Sequence, residues 1–534
     1  MPTGSVRTQF PLGDRMRANI VWLTTGETGA RAPLQQDLRA DVCVVGAGIA
    51  GMSTAYLLAR EGRSVVVLDH GRIAGGETHH TTAHLCNAMD DGFIWLERMH
   101  GRDATRLVAE SHGAAIARIE AIVADEDIAC DFDRVDGYLF EPPGQTTAGL
   151  GDELAAARRA GVSVEMVSRA PIDGFDTGAC LRFSGQAQLH PLKYLNGLAA
   201  AFERLGGRIF CGTHVTEVHG GNEAEVISAD GPVVRARAAV VATNAPINNR
   251  FALHSRQVPF RTFVIGGIVP RGSVTKALFW DDADPYHYVR LQGAFDPTAT
   301  TDVLLVGGED VRVGDVNDDD ARYDRLERWA RARWPTVGEV PYRWSGQVYE
   351  PVDGLAFIGR NPLDSDNIYV ATGDSGQGMT HGTIAGMLLT DLICGRKSPW
   401  TRTYDPARVR LGAVAAYAKD NLGTAARYAE WLLPGEVQGV DRIPPGEGAV
   451  LRRGLQKVAV YKDLQGNVSA CSATCPHLGC VVGWNKSQDI WECPCHGSRF
   501  DRFGKVVNGP AVDDLASVEA PAGAPKKKRA LEPV

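Results

Sequence analysis

Four residues near the carboxyl end could hold a metal centre. Cys475 and His477 have one residue between them, Cys493 and His496 have two, and fifteen residues, 478 to 492, separate the pairs. Two thiolates and two imidazoles presented by facing loops suit either tetrahedral zinc or a two-iron two-sulfur cluster with both histidines on one iron. A second constellation lies near the amino end. Gly46, Gly48 and Gly51 spell G-x-G-x-x-G between the buried run Asp41 to Val45 and a helical stretch from Met52 to Arg60, and Asp69 ends a second strand 23 residues after Gly46. In such a β-α-β unit the first glycine permits a tight turn and the second lets a pyrophosphate approach the backbone. The third lets helix and strand pack, and the helix N-terminus supplies partial positive charge. Asp69 is placed to hold a ribose hydroxyl, and the pattern predicts a bound dinucleotide.

That fingerprint serves NAD and FAD alike, and two later segments separate them. They are GRIAGGETHHTTAHLC, after the second strand, and NIYVATGDSGQGMTHGT near position 370, with VVATNAP between them as a further buried strand ending in a turn. Here the chain resembles the D-amino-acid oxidase and glycine or sarcosine oxidase family of flavoproteins. The resemblance implies FAD, wrapped by both segments, across roughly residues 36 to 400. Gly373, Gly376, Gly378 and Gly382 let backbone crowd a flat ring. A helix starting near Thr380, with Met379 beside it, would aim its N-terminus at that ring and favour the anionic reduced form. Gly76, Glu77, Thr78, His79 and His80 look like the Gly-Ser-Thr-Trp-His segment of the sarcosine and dimethylglycine dehydrogenases, with two substitutions. Those enzymes attach flavin covalently through the final histidine, so His80 falls on the linking position. A covalent link, a non-covalent active-site histidine and a packed histidine all remain open.

The thiol and imidazole boxes read C-P-H-L-G-C and C-P-C-H-G-S, followed by F-D-x-x-G-x-V-x-N-G-P-A. They resemble Rieske proteins over roughly residues 445 to 520, which implies a 2Fe–2S cluster on Cys475, His477, Cys493 and His496 under the Gly509-Pro510 loop. Cys480 and Cys495 match the pair that forms a loop-clamping disulfide in Rieske proteins of quinol-oxidising cytochrome complexes, and the resemblance implies that bond here. Ser498 sits where those proteins place a donor to a cluster sulfur, and their tyrosine two residues further on is here Phe500. Such hydrogen bonds favour the added electron, so the missing hydroxyl predicts a potential below the quinol-oxidising type.

The elements that must position these sites predict an α/β fold: a Rossmann-like FAD-binding domain, an interleaved α+β substrate domain and a C-terminal all-β Rieske domain. Residues 1–35 read as an extension, broken by Gly26, Gly29 and Pro33. FAD-binding segments are expected at about 36–90, 180–250 and 345–400, and substrate-domain segments at about 91–180 and 250–345. The first of the latter is helix-rich, with Leu107, Ala114, Ala115, Ile119 and Ile122 at helical spacing. The second carries RTFVIGGIV, YHYVRL and DVLLVGGED, an expected antiparallel sheet. A polar helical linker at 401–435 precedes the Rieske domain at 436–520, and 521–534 form a basic tail of the kind usually solvated.

Composition bounds the rest. A chain of 534 residues holds several cores, and 44% hydrophobic with 22% charged residues is ordinary globular usage. A net charge of −8 argues against nucleic acid as a partner. No apolar run approaches the roughly 18 residues of a membrane span, and the first residues lack a signal pattern, so a cytoplasmic protein is expected. Eleven cysteines are too few for a secreted disulfide scaffold, yet five crowd between Cys471 and Cys495.

A flavin accepts electrons in pairs and a cluster carries them singly, so the flavin converts and the cluster exports. A second G-x-G-x-x-G is absent between residues 90 and 400, which disfavours NAD(P)H as donor. The expected reaction is oxidation of an amine, N-methylated compound or amino acid, with electrons passing to an acceptor protein or quinone. The alternative is an electron-transfer or redox-sensing protein that serves a partner such as an oxygenase. If residues 286 to 291 form a strand, Tyr286, Tyr288 and Arg290 share one face and could cover a flavin, with Arg290 pairing a substrate carboxylate. No catalytic acid or base is nominated.

Overall fold

The run Val42-Cys43-Val44-Val45 is buried on both sides, as the middle of a parallel sheet requires. It forms the end of strand Leu38–Val45, which pairs in parallel with Val65–Leu68 on one side and Val233–Val241 on the other. Arg208–Phe210 extends the sheet beyond Val65–Leu68. Ile368–Thr372 extends it beyond Val233–Val241, and Phe357–Arg360 closes that edge antiparallel. In the computed structural model, which describes residues 19–26, 28–142, 148–248, 253–294, 298–315 and 318–521, this is the dinucleotide-type sheet. Residues 1–18 of the expected extension and the basic tail from residue 522 onward lie outside the described residues. Ile20, Val21 and Trp22 of the extension pack inward, Trp22 fully buried with its Nε1 donating to Thr81 O at 2.7 Å.

Helices Ile49–Arg60 and Gly378–Ile393 cross on one face of the sheet. The crossing needs small residues: a Cβ on Gly382 would stand 2.7 Å from Ile49, and one on Gly386 2.8 Å from Ser53. The glycines thereby bring two helix N-termini to one place.

A nine-stranded sheet lies beside the first, in the order 342–351, 257–270, 301–312, 287–292, 278–281, 133–140, 180–188 and 84–85, with 164–167 paired to 180–188. The three strands expected at 261–310 are there and antiparallel. Two segments differ from expectation. Cys180–Gln188 was assigned to the FAD-binding part, but it pairs with Asp133–Phe140. Tyr342–Pro351 lies along Gln257–Pro270 through ten register positions. Both contain long alternating or apolar runs whose sheet membership depends on distant partners. Helix Phe93–His100 packs on Arg102–Asp125 and Ala148–Arg159, and Arg102–Asp125 packs on Gly378–Ile393.

The last module has a three-stranded sheet, 447–453, 456–462 and 468–472, and a four-stranded one, 483–485, 490–492, 499–501 and 506–508. Its ligand loops emerge between 472 and 483 and between 492 and 499. The second loop seats on strand Tyr342–Pro351: Tyr349 Oη donates to His496 O at 2.9 Å and Gln347 Nε2 to Gly497 O at 3.0 Å. Gly497 has φ +77°, and a Cβ there would be 2.1 Å from Gln347 Nε2. Arg499, 5% exposed, donates to Glu77 Oε1 at 2.9 Å, and Asn508 Nδ2 reaches the same oxygen at 3.2 Å. The polar segment before the module is helical at Val414–Arg427. It continues to Tyr428 and Trp431, which donate to Leu478 O (2.7 Å) and Gly479 O (3.0 Å) of the first ligand loop.

Replacing Glu77 by Ala leaves the buried Arg499 guanidinium with Glu492 as its remaining carboxylate. Breaking a buried pair from one side costs about 3 kcal/mol. Urea unfolding of Glu77→Ala is expected to show that loss, and an unchanged midpoint would mean the pair does not hold the modules together.

Candidate functional site

Gly46 has φ +107°, and a Cβ on it would lie 2.3 Å from Ala242 O, so the turn after strand Leu38–Val45 admits glycine alone. A Cβ on Gly51 would meet Gly46 O at 1.9 Å, which makes Gly51 the close-packing glycine of the set. Asp69 ties the turn to the second strand by accepting from Ala47 N and Gly71 N, both at 2.7 Å. Thr78 Oγ1 accepts from Ile49 N at 3.2 Å and brings the 76–80 loop against the same helix N-terminus.

These residues open onto a cavity of about 940 Å³. Gly46, Gly48, Asp69, Thr78 and His80 line it from one side, and Gly373, Gly376, Gly378, Met379 and Thr380 from the other. Gly51 stands behind the wall. Helix Gly378–Ile393 begins two residues before the expected Thr380. Glycine backbone, two helix N-termini and one carboxylate beside the first turn are what a dinucleotide's pyrophosphate, ring and ribose call for, so these residues fit FAD. His80 borders the cavity with its ring 4.0 Å from that of His79, and burial pushes its imidazole down to about 3. It is neutral near pH 7.

Of the substrate candidates, Tyr286 and Tyr288 line the cavity, their rings 5.8 Å apart. Tyr286 Oη donates to Asp310 Oδ2 at 3.3 Å, and Tyr288 Oη lies 2.8 Å from Thr262 Oγ1. Burial pushes both phenols above their ordinary range. Arg290 is a correction. It is fully buried and donates to Thr82 O (2.9 Å), Ala83 O (3.2 Å), Leu189 O (2.9 Å) and Gln292 Oε1. It shares a strand face with Tyr288, but the 82–83 loop and Leu189 cover that end of the face and hold Nη1, while Gln292 takes Nη2.

Sequence reasoning missed the carboxylates of the cavity. Asp90, Asp91, Asp310 and Glu350 all line it. Burial raises Asp90 to about 7 and Asp91 and Asp310 to about 6, and it raises Glu350 well above the carboxylate range. The adjacent acids at 90 and 91 were the one available signal, since Asp310 was read only as the end of the strand DVLLVGGED and Glu350 lies in no motif singled out.

At the second centre, Cys475 and Cys493 are buried and within hydrogen-bond reach of each other. The bond from Cys493 holds the Cys475 thiol below its usual value, with Ser498 acting in the same direction, and Cys493 is pushed well above. The rings of His477 and His496 stand 5.0 Å apart at 90°. Cys480 and Cys495 are joined by a disulfide between the two loops. Their sulfurs lie within 4.8 Å of Cys493, but the disulfide occupies them, which leaves Cys475 and Cys493 as the thiolate pair. Two paired thiols facing two imidazoles fit a 2Fe–2S centre. Ser498 is fully buried and its Oγ accepts from Ala511 N at 3.0 Å, while Phe500 packs opposite Trp491.

Fold and sites together define a flavoprotein oxidoreductase carrying an iron-sulfur module. Residues 41–392 match the FAD dependent oxidoreductase family, DAO, and the chain belongs to it; residues 434–519 match the Rieske [2Fe-2S] domain. The family binds FAD and the Rieske domain binds a 2Fe–2S cluster. The chain is 29% identical over 509 residues to the putative Rieske 2Fe-2S iron-sulfur protein YhfW of Bacillus subtilis, covering 93% of this chain and 97% of that one. It is 28% identical over 377 residues to the gamma-glutamylputrescine oxidoreductase of Escherichia coli, covering 68% and 85%. Glycine oxidase from Geobacillus kaustophilus shares the fold, with a TM-score of 0.57 at 17% identity over 70% of this chain and 99% of that one. Among the described residues, no helix is long and apolar enough to cross a membrane.

Two expectations follow. Arg290→Met strips three carbonyls of a donor and should cost about 2–4 kcal/mol in unfolding while leaving substrate KM within about twofold, because the residue is structural; a large KM rise with unchanged stability would restore it to the site. One hydrogen bond near a cluster sulfur is worth about 1 kcal/mol, or about 40 mV for one electron. Redox titration should therefore show a fall of that order for Ser498→Ala and a rise for Phe500→Tyr.

Proposed function

We propose that the protein is an FAD-dependent dehydrogenase that oxidises a small amine at a C–H next to nitrogen and sends the electrons singly through its Rieske cluster to an external protein or quinone. The observation that carries this reading is the shared wall. Strand Tyr342–Pro351 holds the cluster loop through Tyr349 and Gln347, and its residues Gly346, Gln347, Val348 and Glu350 line the cavity on which the dinucleotide turn opens. Val506 to Gly509 of the Rieske module line that cavity too. The relative named for gamma-glutamylputrescine points to the same bond class.

Gly46, Gly48, Gly51, Asp69, Thr78, His80, Gly373, Gly376, Gly378, Met379 and Thr380 are the residues proposed to hold FAD, and Cys475, His477, Cys493 and His496 the cluster. Bound there, FAD would supply a two-electron hydride acceptor and the 2Fe–2S cluster a one-electron carrier. The chain's own part is to orient and to exclude water. The Tyr286 and Tyr288 rings wall the substrate space, and their hydroxyls stay protonated as hydrogen-bond donors. The Rieske module closes the cavity's side with the 506–509 segment. Glu77 spans both centres: Oε2 accepts from Gln347 N at 2.7 Å while Oε1 receives Arg499.

Anaerobic mixing of the holoprotein with a panel of amines tests the reading. Bleaching of the flavin absorbance followed by appearance of the reduced-cluster paramagnetic signal is expected. Reduction by NAD(P)H or a protein donor alone, with no response to any amine, would assign the protein to electron transfer instead.

A further inference from the structure

The acid-rich end of the cavity says which amine. Asp90 and Asp91 have accessible side chains, yet both lie deep among protein atoms, so their open area faces the cavity. Asp90 accepts from Gln377 Nε2 at 3.3 Å and Glu350 accepts from Ser375 Oγ. Both carboxylates therefore sit beside the 373–378 segment that lines the flavin end. Asp310 joins them from strand Thr301–Arg312 through Tyr286 Oη. After burial, the negative charges of Asp91 and Asp310 are what raise Asp90 and Glu350. These acids are crowded, and the cation set against them is Arg322, whose charge acts on Asp310.

The protein supplies little positive charge in return. Among the described residues that line the cavity there is no lysine, and the one arginine, Arg98, is exposed on helix Phe93–His100. Burial pushes the lining imidazoles of His80 and His84 to about 3 and that of His381 to about 4, so they are neutral near pH 7. Arg290 points elsewhere, bound to carbonyls. A separate observation marks a missing donor. Gln377 is 8% exposed, and its amide orientation is fixed because Nε2 donates to Ala88 O at 2.9 Å and to Asp90. That leaves Gln377 Oε1, in the same wall, as a buried acceptor with no hydrogen-bond partner. Buried acceptors of this kind are costly unless a donor arrives.

We propose that the substrate is a dication, an alkyl diamine or polyamine: one nitrogen is presented to the flavin for oxidation while a second ammonium is held among Asp90, Asp91, Asp310 and Glu350. Carboxylate-bearing amines are rejected, because the same four groups would repel the carboxylate and outnumber the one lining guanidinium, Arg98. The proposal rests on the amine-dehydrogenase reading above and narrows its substrate from amines and amino acids to cationic amines.

The test compares 1,4-diaminobutane with 4-aminobutanoate, equal in length and differing in an ammonium for a carboxylate, together with n-butylamine, glycine and D-alanine, on the holoprotein. Calorimetry reads affinity and anaerobic flavin bleaching reads reaction. The diamine is expected to bind about a hundredfold more tightly than 4-aminobutanoate, the scale of a buried charge pair gained against one opposed. Glu350→Gln and Asp90→Asn should each narrow the diamine-to-butylamine affinity ratio about tenfold, and the wild-type comparison decides alone if these variants fail to fold. Equal or tighter binding of 4-aminobutanoate or of an amino acid overturns the inference, as does binding of neither. If those carboxylates also bleach the flavin, the dehydrogenase reading survives the loss. If the diamine binds selectively but bleaches nothing, the acidic subsite stands and the dehydrogenase reading falls.

Discussion

The structure turns on the seating of the second ligand loop against strand Tyr342–Pro351. Two side chains of that strand, Gln347 and Tyr349, satisfy carbonyls of Gly497 and His496, next to Cys493, one of the residues proposed to hold the cluster. Those carbonyls belong to a loop with left-handed backbone at Gly497, and buried unpaired carbonyls are costly, so the loop keeps its shape only while the strand is there. Because the same strand carries Gly346 and Glu350 into the cavity, one element sets the position of both centres. The Glu77–Arg499 pair repeats this constraint from the other direction, since Glu77 lies in the loop whose Thr78 and His80 border the dinucleotide turn.

Electrostatics divides the cavity. At the dinucleotide end, helix N-termini and backbone amides provide partial positive charge suited to phosphates. Beside the 373–378 segment, the carboxylates of Asp90 and Glu350 crowd those of Asp91 and Asp310, and the lining imidazoles of His80, His84 and His381 are neutral. Opposite charges on the walls of one cavity orient a bipolar occupant before any specific contact forms.

Short-range patterns were legible. The strand-glycine-helix-strand order around Gly46, the late glycine cluster and the two cysteine-histidine boxes each depend on a few neighbouring residues, and the structure puts these residues together as expected. The three antiparallel strands between 257 and 312 were legible for the same reason. Arg290 was misread because strand alternation tells which residues share a face, not what covers each part of it. Here the 82–83 loop, some two hundred residues away in the chain, lies over the arginine. Strand Cys180–Gln188 was misplaced likewise, as its pairing partner is chosen by packing.

The sequence by itself determined the family, the two cofactors and the thiolate, imidazole and glycine residues suited to them, because those chemistries require fixed residue types at fixed short spacings. Only the tertiary structure decided that the modules share a wall, that Arg290 is structural, and that Asp90, Asp91, Asp310 and Glu350 meet. These four acids come from a loop and two separate strands, and nothing in their local spacing records it. Their shared burial and mutual repulsion arise only when the nine-stranded sheet brings its strands beside the loop.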